Sequence, residues 1–157
     1  MTSKIPLIKI GDLETARSAD HSLYGAVITI EDSNAASPFR LKATTPRQLI
    51  LKFDDVIHQF GDLIIPTELH IKSALDFIEQ EADRKPILIH CHAGLSRSPA
   101  IALAILARWF GQSHEEAAVK MLLSIEPLSS PNSLIVALAD ELLQHKGKLV
   151  AAVKKLT

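Results

Sequence analysis

Only one cysteine occurs in this chain of 157 residues, and neither sign of charge prevails, the formal net charge being −1. A lone cysteine excludes an internal disulfide and any cysteine-rich zinc cluster, and it fits a reducing compartment. The near-neutral balance leaves no basic footprint for a nucleic-acid backbone and no bias toward an anionic membrane. Any affinity for phosphate must then come from a local site. The stretch "MTSKIPLIKIGDLE" lacks the apolar core and small-residue cleavage site of a secretory signal. The longest apolar run, "PAIALAILA", is too short to span a bilayer and reads as a buried core helix. Repeats and low-complexity tracts are absent as well. These absences point to a cytoplasmic protein without nucleic-acid or membrane partners. The length suits a single domain over 1–157, long enough to bury a real core.

What is present is regular. Four short runs rich in Ile, Leu and Val read as strands: "IPLIKI" (5–10), "GAVITI" (25–30), "QLILKF" (48–53) and "PILIH" (86–90). They are continuous rather than alternating, the pattern of strands covered on both faces. Helical patterns follow. "PTELHIKSALDFIEQEA" (66–82) sets Leu69, Ala74, Leu75 and Ile78 near one face, with Thr67 as N-cap. "SHEEAAVKMLLSI" pairs Ser113 with Glu116 in the spacing of a capping box. "SPNSLIVALADELLQHKG" starts behind a Pro with an Asn or Ser cap and is expected to stop at Gly147, and the amphipathic tail "KLVAAVKKL" follows. Residues 31–47 read as a long loop. The expected fold is α/β, a small central parallel sheet of about four strands flanked by helices.

The cysteine stands where two apolar runs meet, in "ILIHCHAGLSRSPAIALAILARWF" (87–110). The strand before it delivers Cys91 to the carboxyl edge of the sheet, where open α/β folds place ligands. A helix begins near Ser98, since Pro99 is tolerated in a first turn. The intervening residues His92, Ala93, Gly94, Leu95, Ser96 and Arg97 then form a loop at a helix amino terminus, where backbone N–H groups converge on an anion. Gly94 allows tight folding. Arg97 matches two phosphoryl oxygens with its planar fork. A thiol in such a nest ionises readily and serves as a nucleophile, and the Ser98 hydroxyl is placed to donate to its sulfur. The plain alternative is a buried, inert thiol. The register of strand, loop, Arg-Ser and helix argues for the chemistry. Trp109 and Phe110 read as core.

"HCHAGLSRS" resembles the His-Cys-x5-Arg-Ser/Thr signature of the cysteine-dependent protein tyrosine and dual-specificity phosphatases. The order strand, acidic loop, helix, strand, signature loop and apolar helix extends the resemblance over 48–110, and "SSPNSLIVALADELLQHKGKLVAAV" is similar to the ending of a bacterial group of predicted tyrosine phosphatases. The resemblance implies an upstream Asp as general acid, on a loop after a strand. "LKFDDVIHQF" supplies Asp54 and Asp55, which point opposite ways on an extended segment. Asp55 is favoured, because Asp followed by Val or Ile fits the bacterial group, and Asp62 reads as a turn residue. The resemblance also assigns His90 to orienting the loop.

The implied activity is phosphomonoester hydrolysis through a phosphocysteine. Phosphorylated protein or a small phosphomonoester is the expected substrate, and phosphate, sulfate or vanadate an expected ligand of the Cys91 loop. No cofactor or metal is implied. Without a lysine in "HAGLS", inositol lipids are disfavoured. Two rivals stay open. A metal-dependent hydrolase would use His90 and His92 with Asp54 or Asp55. A catalytically silent module would keep the phosphate nest without turnover.

Overall fold

The structure, a computed structural model, describes residues 5–81 and 85–157. Strands β1 (Ile8–Gly11), β2 (Ala26–Glu31), β3 (Arg47–Lys52) and β4 (Ile87–His90) form one sheet in the order β1-β4-β2-β3. Every pairing is parallel, with Gly11 and Thr29 flanking His90 in register. All four carboxyl ends therefore open on one edge, and β4, between β1 and β2, delivers its end to the middle of that edge. The sheet is as the sequence predicts, each strand within one residue of its expected span except β1, which begins three residues later.

The helices are α1 (Leu13–Ser18), α2 (Glu68–Glu79), α3 (Arg97–Phe110), α4 (Glu115–Ile125), α5 (Ser133–Leu142) and α6 (Lys148–Leu156). Helices α2 to α6 join the main core, where Ile28, Ile89, Ile101, Leu103 and Leu122 are fully buried. A smaller cluster of Ala16, Tyr24, Val27, Phe39 and Leu88 covers the opposite face. Residues 97–107 of α3 are buried without exception. Its alanines at 100, 102, 104 and 107 let sheet and helices approach closely, so each Leu or Ile between them is worth about 2–5 kcal/mol against Ala. No helix among the described residues is long and apolar enough to cross a membrane.

Several local expectations are corrected. Helix α1 and a short turn at His21–Leu23 lie in a stretch without helical periodicity and are held by the caps Asp12 and Asp20. Leu69 is 72% exposed, and Ile71 and Phe77 face the core in its place. Ser113 is not a cap. It sits at φ +73°, its N–H donates to Glu115 Oε2, and Glu116 pairs with Lys155. Gly147 opens α6 rather than closing α5, because the Asp140 carboxylate accepts from the amides of Gly147, Leu149 and Val150. Trp109 is partly exposed at the end of α3. The last residue of the helix expected over 66–82 lies outside the described residues.

Candidate active site

The loop after β4 carries Cys91 at its base and runs into α3 at Arg97. Gly94 is buried at φ +78°, and a Cβ there would stand 2.9 Å from the backbone carbonyl of Gly11. Only glycine tolerates both constraints. The other rim is tied to α1, whose Leu13 amide donates to the His92 carbonyl at 3.0 Å. His92, Ala93 and Leu95 are exposed, and Ser96 is half-buried.

Cys91 is 2% exposed. Its Sγ accepts from the Gly94 amide at 3.2 Å and lies 3.2 Å from Ser98 Oγ. Arg97 is buried, and its Nη1 donates to the Phe53 carbonyl at 2.9 Å and meets Asp32 Oδ1 at 2.7 Å. Its Nε is buried without a protein partner among the described residues. A guanidinium anchored by Nη1, with Nε unspent, keeps donors for an incoming oxyanion.

The paired aspartates have different surroundings. Asp54 is buried, its Oδ1 accepting from Ser33 N–H at 3.0 Å and its Oδ2 from Ile64 N–H at 2.7 Å. Burial opposes ionisation, but the hydrogen bonds from Ser33 and Ile64 and the nearby Arg97 charge outweigh it and hold the carboxyl below its ordinary range. Asp55 is exposed. Its Oδ1 accepts from Ser96 Oγ at 2.8 Å and from Asn132 Nδ2 at 2.9 Å, so it leans on the Cys91 loop. Asp62 shares no hydrogen bond with this group of residues.

His90 is wholly buried behind Cys91. Its Nδ1 lies 3.3 Å from the Cys91 carbonyl and its Nε2 lies 2.8 Å from Thr29 Oγ1, which also accepts from Gln48 Nε2 at 2.8 Å. A carbonyl only accepts, so Nδ1 carries the proton and Thr29 donates to Nε2. Burial pushes the ring down to about 4, and it is neutral at pH 7. With both nitrogens spent on protein partners, His90 is not disposed to ligate a metal, and Asp54 spends both oxygens likewise.

Two hollows meet these residues. A small one of about 40 Å³ includes Thr29, Asp32, Phe39, His90, Cys91 and His92 in its lining. A wider groove of about 560 Å³ includes Asp55, Val56, Ile57, Phe60, Ser96 and Pro131. Neither lining contains Lys or Arg. Asp32 and Asn132 belong to this assembly and are absent from the sequence expectations. Asp32 directly follows a strand, which is a usable signal, whereas nothing local marks Asn132 beyond its role as a helix cap.

A family model described as the Rit1 DUSP-like domain matches residues 68–141. No curated protein matches. Among solved structures, DUSP15 is similar over 100% of this chain and 96% of its own at 20% identity, with a TM-score of 0.66. The human tyrosine phosphatase-like serine/threonine/tyrosine-interacting protein is similar over 88% of this chain and 91% of its own, at 20% identity and TM-score 0.68. A mouse putative dual specificity phosphatase complexed with zinc tungstate covers 92% and 86%, at 20% identity and TM-score 0.62. The four-stranded parallel sheet flanked by helices is thus the fold of dual-specificity phosphatases.

Proposed function

We propose that this protein is a phosphomonoester hydrolase, a protein tyrosine or dual-specificity phosphatase acting through a phosphocysteine, carried by one domain over 1–157. The observation that carries the reading is the Cys91 sulfur, held by Gly94 and Ser98, on one loop with the anchored Arg97 and with Ser96, on which Asp55 of the loop after β3 is docked. Cys91 Sγ attacks phosphorus, and the bond from phosphorus to the leaving oxygen breaks. Asp55 gives that oxygen its proton. Arg97 and the amides of residues 92–97 stabilise the equatorial oxygens. Water then attacks phosphorus and passes a proton to Asp55, while the S–P bond breaks and Ser98 donates to the departing sulfur. Asp54 is held ionised by two amides and is a structural anchor of the acid loop, which supports Asp55 as the proton donor. His90 holds the Cys91 carbonyl.

The nucleophile needs a reduced thiol, so the proposal includes a reducing, cytoplasmic setting. The tungstate in the mouse neighbour supports phosphate, sulfate or vanadate as ligands of the loop. Linings without Lys or Arg support a substrate bearing a single phosphate over polyanionic lipids.

The test is hydrolysis of p-nitrophenyl phosphate across about pH 5 to 7.5 by wild type and Cys91→Ser, with chelator present. Turnover that survives chelator and vanishes in the variant, with vanadate still bound, is the expected result. Loss to chelator in the wild type would revive the metal-dependent rival. Inactivity of both proteins with phosphate binding intact would indicate a silent binding module.

A further inference from the structure

Asn132 does more than a helix cap requires. As the N-cap of α5 it needs only an acceptor, and its Oδ1 takes the Ile135 amide at 3.0 Å. Ser or Asp would serve equally there. The amide nitrogen, which a cap does not need, is spent entirely on the acid loop: Nδ2 donates to Asp55 Oδ1 at 2.9 Å and to the Val56 carbonyl at 3.2 Å. The backbone around it grips the Cys91 loop. Asn132 N–H donates to the Ser96 carbonyl at 3.1 Å and Ser130 N–H to the Leu95 carbonyl at 2.8 Å. Ser96 closes the triangle, its hydroxyl donating to the same Asp55 oxygen.

We infer that Asn132, with Ser96, is a positioning residue for proton transfer: it docks the acid loop on the phosphate loop and holds Asp55 by Oδ1, so that Oδ2 faces the leaving group. The inference rests on Asp55 being the proton donor. Asp55 is exposed, and a free carboxyl on a loop samples several rotamers, of which few reach the leaving oxygen. Two donors on one oxygen remove that freedom. Asn132 is 5% exposed, so its bonds to the acid loop are shielded from competing water. A single residue thereby ties together three segments that are far apart in sequence: its side chain holds the acid loop after β3 and the start of α5, and its backbone N–H holds the nucleophile loop after β4.

The experiment compares kcat and KM on phenyl phosphate, whose leaving oxygen needs a proton, and on 2,4-dinitrophenyl phosphate, whose does not. The proteins are wild type, Asn132→Ser, Asp55→Asn and the double variant. Serine keeps the cap and removes the amide donors. Asn132→Ser is expected to lower kcat/KM on phenyl phosphate about tenfold and to change kcat/KM on dinitrophenyl phosphate by less than about twofold, while kcat, which includes the water-attack step common to both esters, falls on both. Its loss should largely disappear in the Asp55→Asn background, since both act on one proton transfer. An equal loss of kcat/KM on both substrates, or none, overturns the positioning role. Should Asn132→Ser fail to fold, Asn132→Asp keeps size and cap without the donors and must show the same selective loss. If Asp55→Asn itself lacks leaving-group dependence, the assignment of Asp55 fails, whatever Asn132 does.

Discussion

The carboxylate of Asp32, at the end of β2, lies 2.7 Å from the guanidinium of Arg97, sixty-five positions later at the start of α3. Asp32 is 37% exposed and Arg97 only 5%. The buried cation is thus anchored by an ion pair with Asp32, half in water, and by the carbonyl of Phe53. Asp32→Ala should let the guanidinium swing and raise KM and the vanadate inhibition constant about threefold to tenfold, with Asp32→Asn in between, because Asn keeps an acceptor for Nη1. Solvent at Asp32 limits the stability loss to about 1 kcal/mol. Steady-state kinetics on p-nitrophenyl phosphate with vanadate titrations measure this, and unchanged constants in Asp32→Ala would exclude a role in orienting Arg97.

Ser98 Oγ stands 3.2 Å from Cys91 Sγ, within reach to donate to it. A hydroxyl donated to a departing thiolate accelerates breakdown of the phosphoenzyme more than its formation. Ser98→Ala should therefore show a burst of nitrophenol approaching one per site, followed by turnover slowed about tenfold or more. Stopped-flow mixing reads both phases; slow turnover without a burst would place the Ser98 effect on the first step.

His90 links pH to stability. Its folded value of about 4 lies below the ordinary 6.5 because the ring is buried. Between those values the unfolded chain binds a proton that the folded chain refuses, so stability rises with pH from about 4 to about 6.5 and is level above. The contribution is on the order of 2 kcal/mol between pH 5 and pH 7. His70, lowered by burial, adds a slope of the same sign. Glu31 and Asp54, held low, lose their own stabilisation only at more acid pH. Urea midpoints at pH 5 and pH 7 should differ clearly less in His90→Gln than in wild type, even though the variant is weaker at both.

A proton donor must touch the leaving oxygen, so Asp55 in that proposed role puts the leaving group in the groove that it lines. Ile57 and Phe60 on its wall are exposed apolar side chains, Phe60 being 75% exposed. Phe60→Ala should raise KM about threefold for an aryl phosphate with a large apolar body, such as a naphthyl ester, while vanadate inhibition stays constant. Equal KM values in variant and wild type would take the groove out of leaving-group binding.

Much of this was legible in sequence because it is local. Runs such as "GAVITI" and "PILIH" can satisfy their backbone and bury both faces only as inner strands, and the turn from β4 into α3 is written in consecutive residues from Cys91 to Pro99. Even the different surroundings of Asp54, buried, and Asp55, exposed, were half visible, since neighbours on an extended segment face opposite ways. The outward turn of Leu69, the cap at Gly147, and the parts of Asp32 and Asn132 were not visible. Each depends on a partner many residues away.

The sequence by itself determined the sheet, the order of its strands along the chain and the loop carrying Cys91, because propensity, burial and turn chemistry act over a few residues. Only the tertiary structure decided that β4 lies between β1 and β2, and hence which carbonyls, carboxylates and amides meet at its end. A hydrogen bond is made or lost within about half an ångström. No local pattern sets distances between segments to that tolerance; the packing of α3 and α5 against the sheet does.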